Sequence, residues 1–144
     1  MREIKFRAWD KDYKYMNHKV MVGNVWDEEN YHAHMIWVDR KDVDYECESG
    51  WMNFDEHSNI EIMQYTGLKD KNGVEIYEGD VVMAEHPHLY VSYFGLVSIT
   101  PGDGLYIEYT DGHVDFGLDE IQYKKYIGVI GNIYENPDIL EGLR

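Results

Sequence analysis

The segment Tyr65–Val82 constrains the fold of this chain more than any other stretch of the sequence. It contains three glycines and an Asn72-Gly73 pair, and it ends in an apolar run. An Asn-Gly pair favours a tight hairpin, and Gly79-Asp80 favours a corner that leads into a new strand. We therefore predict that these four residues are structural turns between strands, with no chemistry of their own.

The rest of the chain shows short stretches in which apolar and polar residues alternate, separated by turn sequences. Thirteen Tyr and four Trp add to this pattern, because aromatic residues favour pleated, half-buried surfaces. Several short strands at this spacing predict a mainly β protein whose C-terminal half is a small barrel-like antiparallel sheet. A short C-terminal helix is predicted after Asn136, which can cap it, with Pro137 at its first position. Residues 51–59 are polar and predicted to be irregular.

The length of 144 residues is that of one domain. We predict a single domain over residues 1–144, which the polar region near Ser58 can divide into subdomains 1–58 and 59–144. The N-terminus has no apolar signal-peptide core, and no apolar run is long enough to span a membrane. The single cysteine, Cys47, fits a reducing compartment. These features predict a cytoplasmic protein without a membrane partner.

The formal net charge of −15 is the strongest statement that the composition makes about partners. Asp and Glu number 28, whereas Lys and Arg number 13. A broad basic surface that neutralises phosphates is therefore excluded, and direct binding of nucleic acid is not expected. The charge keeps a protein soluble, and it also suits a basic partner protein.

One stretch arranges its acidic residues regularly. On a strand, residues two apart lie on the same face, so alternation over residues 42–48 predicts a row of four carboxylates. This acidic partner-binding face consists of Asp42, Asp44, Glu46 and Glu48. The row could imitate a DNA backbone and bind a basic protein groove. Alternatively, it is a solvated strand face whose like charges protect an exposed edge.

Histidines offer weak candidates for a metal site. His32 and His34 form one His-x-His pair, and His86 and His88 form another. Each pair would lie on one side of a strand, a geometry that zinc or nickel can use. Nothing in the sequence brings the pairs together, so surface histidine is the alternative, and no cofactor is predicted. Cys47 is predicted to be a small buried hydrophobe, because it falls on the apolar side of its strand.

Three segments carry a resemblance to a known family: Met1–Asp10, Tyr65–Val82 and Ile127–Pro137. Together they resemble the YopX family, which phages and prophages of Gram-positive bacteria encode. The resemblance implies a mainly β protein made in the host cytoplasm, and it implies no activity, cofactor or catalytic residue. Separately, Glu78–Val82 and the strands that follow resemble an SH3-like barrel, a fold that serves many functions.

These inferences lead to an expected function and to open alternatives. We expect a non-enzymatic protein-binding module that acts on a host or phage protein in the host cytoplasm. The alternatives are a small metal-dependent enzyme that uses histidines and carboxylates, and an acidic DNA mimic. A homo-oligomer in which the subunits complete each other's sheets is also open.

Overall fold

The computed structural model of the chain describes residues 3–25, 33–38, 50–53, 60–85, 92–100, 104–112, 114–115 and 124–143. Within these ranges the chain forms twelve strands and a short C-terminal helix. The mainly β prediction and the C-terminal helix are therefore confirmed. One sheet curls into a half-barrel, which confirms the barrel-like prediction, whereas the SH3-like relationship stays a prediction.

The first five strands alternate with short connections along the N-terminal part. They are β1 (Phe6–Asp10), β2 (Tyr15–Asn17), β3 (Val20–Val25), β4 (Ala33–Val38) and β5 (Gly50–Asn53). The turn between β1 and β2 forms locally, because the Asp10 Oδ1 atom accepts hydrogen bonds from the backbone N–H groups of Asp12 and Tyr13 at 3.0 and 3.2 Å. Such side-chain acceptors are the reason that Asp favours turns.

The remaining elements follow in the C-terminal part. They are β6 (Ile60–Lys69), β7 (Glu75–Tyr77), β8 (Asp80–Glu85), β9 (Ser92–Thr100), β10 (Gly104–Tyr109), β11 (Val114–Asp115), β12 (Ile127–Asn132) and the helix α1 (Asp138–Leu143). The strands form a four-stranded sheet β2-β1-β6-β7, a five-stranded sheet β11-β10-β9-β8-β12 and a three-stranded sheet β3-β4-β5. Neighbouring strands are mostly consecutive in sequence, as expected when hairpins make the connections.

The chain comprises two compact units. One is Lys5–Met63, and the other is Gln64–Arg144 together with Met1–Ile4. The division falls inside β6 and not in the polar region near Ser58. The prediction of one domain with subdomains 1–58 and 59–144 concerns which segments fold together, and it stays a prediction.

A hydrophobic core lies in the five-stranded sheet and its neighbours. Alternate residues of β8, β9 and β10 point to one side, as the period of a strand requires. The fully buried members of this core include Val82, Val97 and Ile107, and Ile127 of β12 joins them. The apolar alternation in the sequence therefore produces this core directly.

One strand corrects the sequence interpretation. Residues 51–59 were predicted to be irregular, but Gly50–Asn53 forms β5 and pairs with β4. The prediction was wrong for Trp51 and Met52 because four residues are too few to show a period. The stability of such a short strand comes from its partner, since cross-strand pairs are the unit of sheet stabilisation.

The contact between β12 and α1 depends on a glycine. A Cβ atom added at Gly131 would lie 2.6 Å from the Asn136 Oδ1 atom and 2.7 Å from the Ile139 Cδ1 atom. The same Asn136 Oδ1 atom accepts a hydrogen bond from the Asn132 backbone N–H at 3.3 Å. The segment before α1 is therefore closely packed on the end of β12.

We expect Gly131→Ala to lower the free energy of unfolding by about 1–3 kcal/mol, because the added methyl group must displace Asn136 and Ile139. Urea denaturation measures this change. Gly128→Ala on the same strand is the matched control, because its Cβ would meet only the flexible end of Lys71, at 3.2 Å. Equal destabilisation by the two substitutions would contradict the packing argument.

Candidate functional site

The hairpin between β6 and β7 closes on a three-residue loop. The Asp70 backbone N–H donates to the Val74 carbonyl at 2.8 Å, and the Gly73 N–H donates to the Asp70 carbonyl at 3.1 Å. Gly73 has a φ of 81°, whereas Asn72 is not in the left-handed region. This is the geometry of a type I turn followed by a left-handed glycine. Asn72 and Gly73, predicted as structural turn residues, lie in this loop.

The Asp70 carboxylate organises the loop and ties it to a distant strand. Its Oδ1 atom accepts hydrogen bonds from the Asn72 and Val74 backbone N–H groups, both at 2.8 Å. Its Oδ2 atom accepts one from the Val129 N–H of β12 at 2.9 Å. The residue is only 2% exposed. Since a buried carboxylate must be hydrogen-bonded, all three contacts stabilise the folded state.

Lys71 extends this contact along the outer edge of β12. Its backbone N–H donates to the Ile127 carbonyl at 2.9 Å, and its Nζ atom lies 3.0 Å from Glu85 Oε1. Gly128 leaves room for the lysine side chain to pass. The loop thus covers backbone groups that an edge strand would otherwise expose to pairing with another chain.

The Gly79-Asp80 corner is held by a second buried carboxylate. Gly79 has a φ of 84°, which favours glycine, and its N–H donates to the Val97 carbonyl at 2.9 Å. Asp80 is buried, and its Oδ2 atom accepts a hydrogen bond from the Tyr77 N–H at 2.8 Å. Like Asp70, Asp80 binds backbone N–H groups and thereby shapes the turn.

The three-stranded sheet carries a different kind of surface. Residues paired across an antiparallel sheet lie on the same face, so its register defines two faces. On one face, Met21 pairs with Trp37 and Trp37 pairs with Trp51. We call this the Trp37 face, and its members are Met21, Trp37, Trp51, Gly23, Met35, Asn53, Val25 and Ala33. The opposite face carries Val20, Val38, Gly50, Val22, Ile36, Met52, Asn24 and His34.

Two exposures identify which face meets solvent. Met21 is 55% exposed, whereas its neighbour Val20 is half-buried. Because neighbours along a strand lie on opposite faces, the Trp37 face is open to solvent at Met21. An antiparallel sheet usually places polar residues on its solvated face. The Trp37 face instead carries a Met-Trp-Trp row, which makes it a candidate binding surface.

Most of the predicted site residues lie outside the described residues. This applies to the acidic partner-binding face (Asp42, Asp44, Glu46, Glu48), to Cys47 and to the histidines His32, His86 and His88. His34 lies on β4, opposite Asn24 in the register. Within the part of the chain that the structure describes, no group of three His, Cys, Asp or Glu residues could hold a metal ion. The metal candidates therefore stay predictions.

Sequence reasoning missed the Trp37 face. It recognised Met21 and Trp37 as members of strands but placed Trp51 in an irregular region. The available signal was the apolar pair Trp51-Met52 directly after Ser49-Gly50, which a four-residue strand can contain.

Comparisons with known proteins agree with the segments that carried the resemblance. The chain matches the family model described as YopX protein over residues 5–141. The crystal structure of protein EF1440 from Enterococcus faecalis is similar with a TM-score of 0.64 at 29% identity, covering 97% of this chain and 99% of that one.

A second similar crystal structure is that of protein yopX from Bacillus subtilis, with a TM-score of 0.57 at 17% identity. The match covers 96% of this chain and 98% of that one, and at this identity it shows the fold alone. A search of curated proteins finds no match. Across the described ranges, no helix is long and apolar enough to cross a membrane.

Proposed function

Because the chain belongs to the YopX protein family, which brings a fold and no activity, we propose that it is a phage or prophage protein-binding module. It acts without catalysis on a basic host or phage protein in the host cytoplasm. The observation that carries the proposal is the net charge of −15. A charge of this size raises the association rate with a positively charged partner and disfavours contact with nucleic acid.

The buried acids of the described part support binding over catalysis. Asp70 and Asp80 have the burial that catalytic carboxylates often have. Their oxygens, however, accept backbone N–H bonds that form turns. These carboxylates therefore serve the fold, and the exposed acids remain for a partner.

Affinity capture from lysate of a Gram-positive host tests the proposal. We expect a basic protein to bind at low ionic strength and to be lost at about 1 M salt, where the Debye length falls to ~3 Å. A partner retained equally at both salt concentrations, or the capture of acidic proteins only, would contradict the charge argument. If no protein is captured at low salt, the proposed function fails.

The acidic partner-binding face gives the DNA-mimic alternative a direct test. Asp44→Asn with Glu46→Gln removes two charges from the predicted row and leaves the side-chain volumes nearly unchanged. A mimic of the DNA backbone loses most of its salt-sensitive binding to the captured partner in this variant. Unchanged binding assigns the row to solvation of the strand.

A further inference from the structure

The Trp37 face combines three residue types that suit protein recognition. Trp is among the residues most enriched at binding hot spots, and Met adapts its shape to different partners. Met21, Trp37 and Trp51 occupy one continuous row across all three strands. The row therefore crosses the whole width of the sheet, and its Met21 end is open to solvent.

The segments that connect these strands are strongly acidic. Between residues 20 and 59 the sequence has ten Asp and Glu residues, whereas Arg40 and Lys41 are the only Arg or Lys. The difference of −8 is more than half of the net charge of the whole chain. None of these charged residues belongs to β3, β4 or β5, so the sequence places an apolar sheet between acidic connections.

This combination selects one class of occupant. Acidic surroundings attract Arg and Lys and repel acidic segments. An Arg guanidinium is also attracted to the face of a Trp ring, which no aliphatic row provides. Apolar residues of the same partner segment can pack on the Met-Trp-Trp row. A second copy of this chain is disfavoured, because two such sheets face to face would bring their like charges together.

We infer that the Trp37 face binds an Arg-rich, amphipathic polypeptide segment of the partner protein. This inference rests on the proposed function and adds where the partner binds and what it presents. Met21, Trp37 and Trp51 supply the apolar and aromatic contacts, and the acidic connections supply the attraction at longer range.

Fluorescence anisotropy with a labelled peptide of alternating Arg and Leu tests the inference on the full chain. A peptide of alternating Arg and Ser keeps the charge and removes the apolar side, and one of alternating Glu and Leu reverses the charge. We expect the Arg-Leu peptide to bind at least about tenfold more tightly than the Arg-Ser peptide, since hot-spot contacts are apolar and aromatic. We expect no binding of the Glu-Leu peptide.

Met21→Ser is the test variant, and Val114→Ser is its matched control. Val114 is a 39% exposed strand residue of the five-stranded sheet, away from the Trp37 face in the topology. We expect Met21→Ser to weaken Arg-Leu binding at least about fivefold and Val114→Ser to leave it unchanged. Trp37→Phe keeps an aromatic ring and should weaken binding less than Trp37→Leu, because the cation–π attraction is strongest for Trp. Equal thermal midpoints verify that each variant is folded.

Three results would overturn the inference: equal binding by Met21→Ser and Val114→Ser, equal affinity for the Arg-Leu and Arg-Ser peptides, or a dimer in light scattering that Met21→Ser abolishes. The last result assigns the face to a second copy. Salt-sensitive capture of a basic protein that Met21→Ser leaves intact overturns this inference alone. Loss of all capture by the unmodified chain overturns the proposed function.

Discussion

Asp70→Ala is expected to lower the free energy of unfolding by about 3 kcal/mol or more. The substitution removes the acceptor of three backbone N–H groups, those of Asn72, Val74 and Val129. Leaving a buried donor unsatisfied costs about 1–3 kcal/mol, and partial access of water to the loop reduces the total. Urea denaturation followed by tryptophan fluorescence measures the effect.

The Val129 amide provides a local measurement of the same prediction. Its N–H lies on the outer edge of β12 and donates to Asp70 Oδ2. We expect hydrogen exchange at Val129 to accelerate in Asp70→Ala more than exchange at Val97 in the central strand β9, because the edge contact opens first. Asp111→Ala, in an exposed turn, is the control and should change stability by less than about 0.5 kcal/mol. An Asp70→Ala protein as stable as this control would refute the anchoring role.

Asp70 also shows how far the sequence predicts this fold. The Asn72-Gly73 pair correctly indicates a turn, because the constraint is local and glycine accepts a positive φ. The third hydrogen bond of Asp70 joins residues 59 positions apart in the sequence. No spacing rule contains such a contact, since it exists only after the β6–β7 hairpin and β12 have come together. The turn was therefore predictable, whereas its role in covering a sheet edge was not.

The candidate binding surface illustrates the same limit. Met21 and Trp37 each fit the period of their own strand, and that period predicts the strands. That the two residues share a row with Trp51 depends on the register between strands. Register is set jointly by turn geometry and by which face is buried, so it cannot be obtained from one strand at a time. A surface assembled from three strands therefore becomes visible only in the structure.

Gly95→Ala is the second substitution with a large expected effect. Gly95 lies in β9, which pairs with β8 on one side and β10 on the other. An added Cβ atom would lie 2.5 Å from Ile107 Cγ2, 3.0 Å from Tyr109 Cδ1 and 3.1 Å from the Glu108 carbonyl oxygen. Ile107 is fully buried and belongs to the hydrophobic core, so it has little room to move.

We expect Gly95→Ala to destabilise the protein by about 2–3 kcal/mol, at the upper end of the range for overpacking, because two of the three close atoms cannot rotate away from a strand backbone. Gly95→Val should have a larger effect. Gly128→Ala is again the matched control, since its added methyl group would meet only a lysine side chain. Urea midpoints and slopes for these variants separate a change in stability from a change in the denatured state.

A double-mutant cycle with Ile107→Ala tests the cause of this effect. Ile107→Ala alone removes the Cγ2 atom and should cost about 2–5 kcal/mol through the cavity that it leaves. If the Gly95 methyl group collides with that atom, the double variant is destabilised by less than the sum of the two single effects, by about 1 kcal/mol or more. The alanine methyl then occupies part of the space that the isoleucine vacates. Strict additivity would show that Gly95 is required for a reason other than its approach to Ile107.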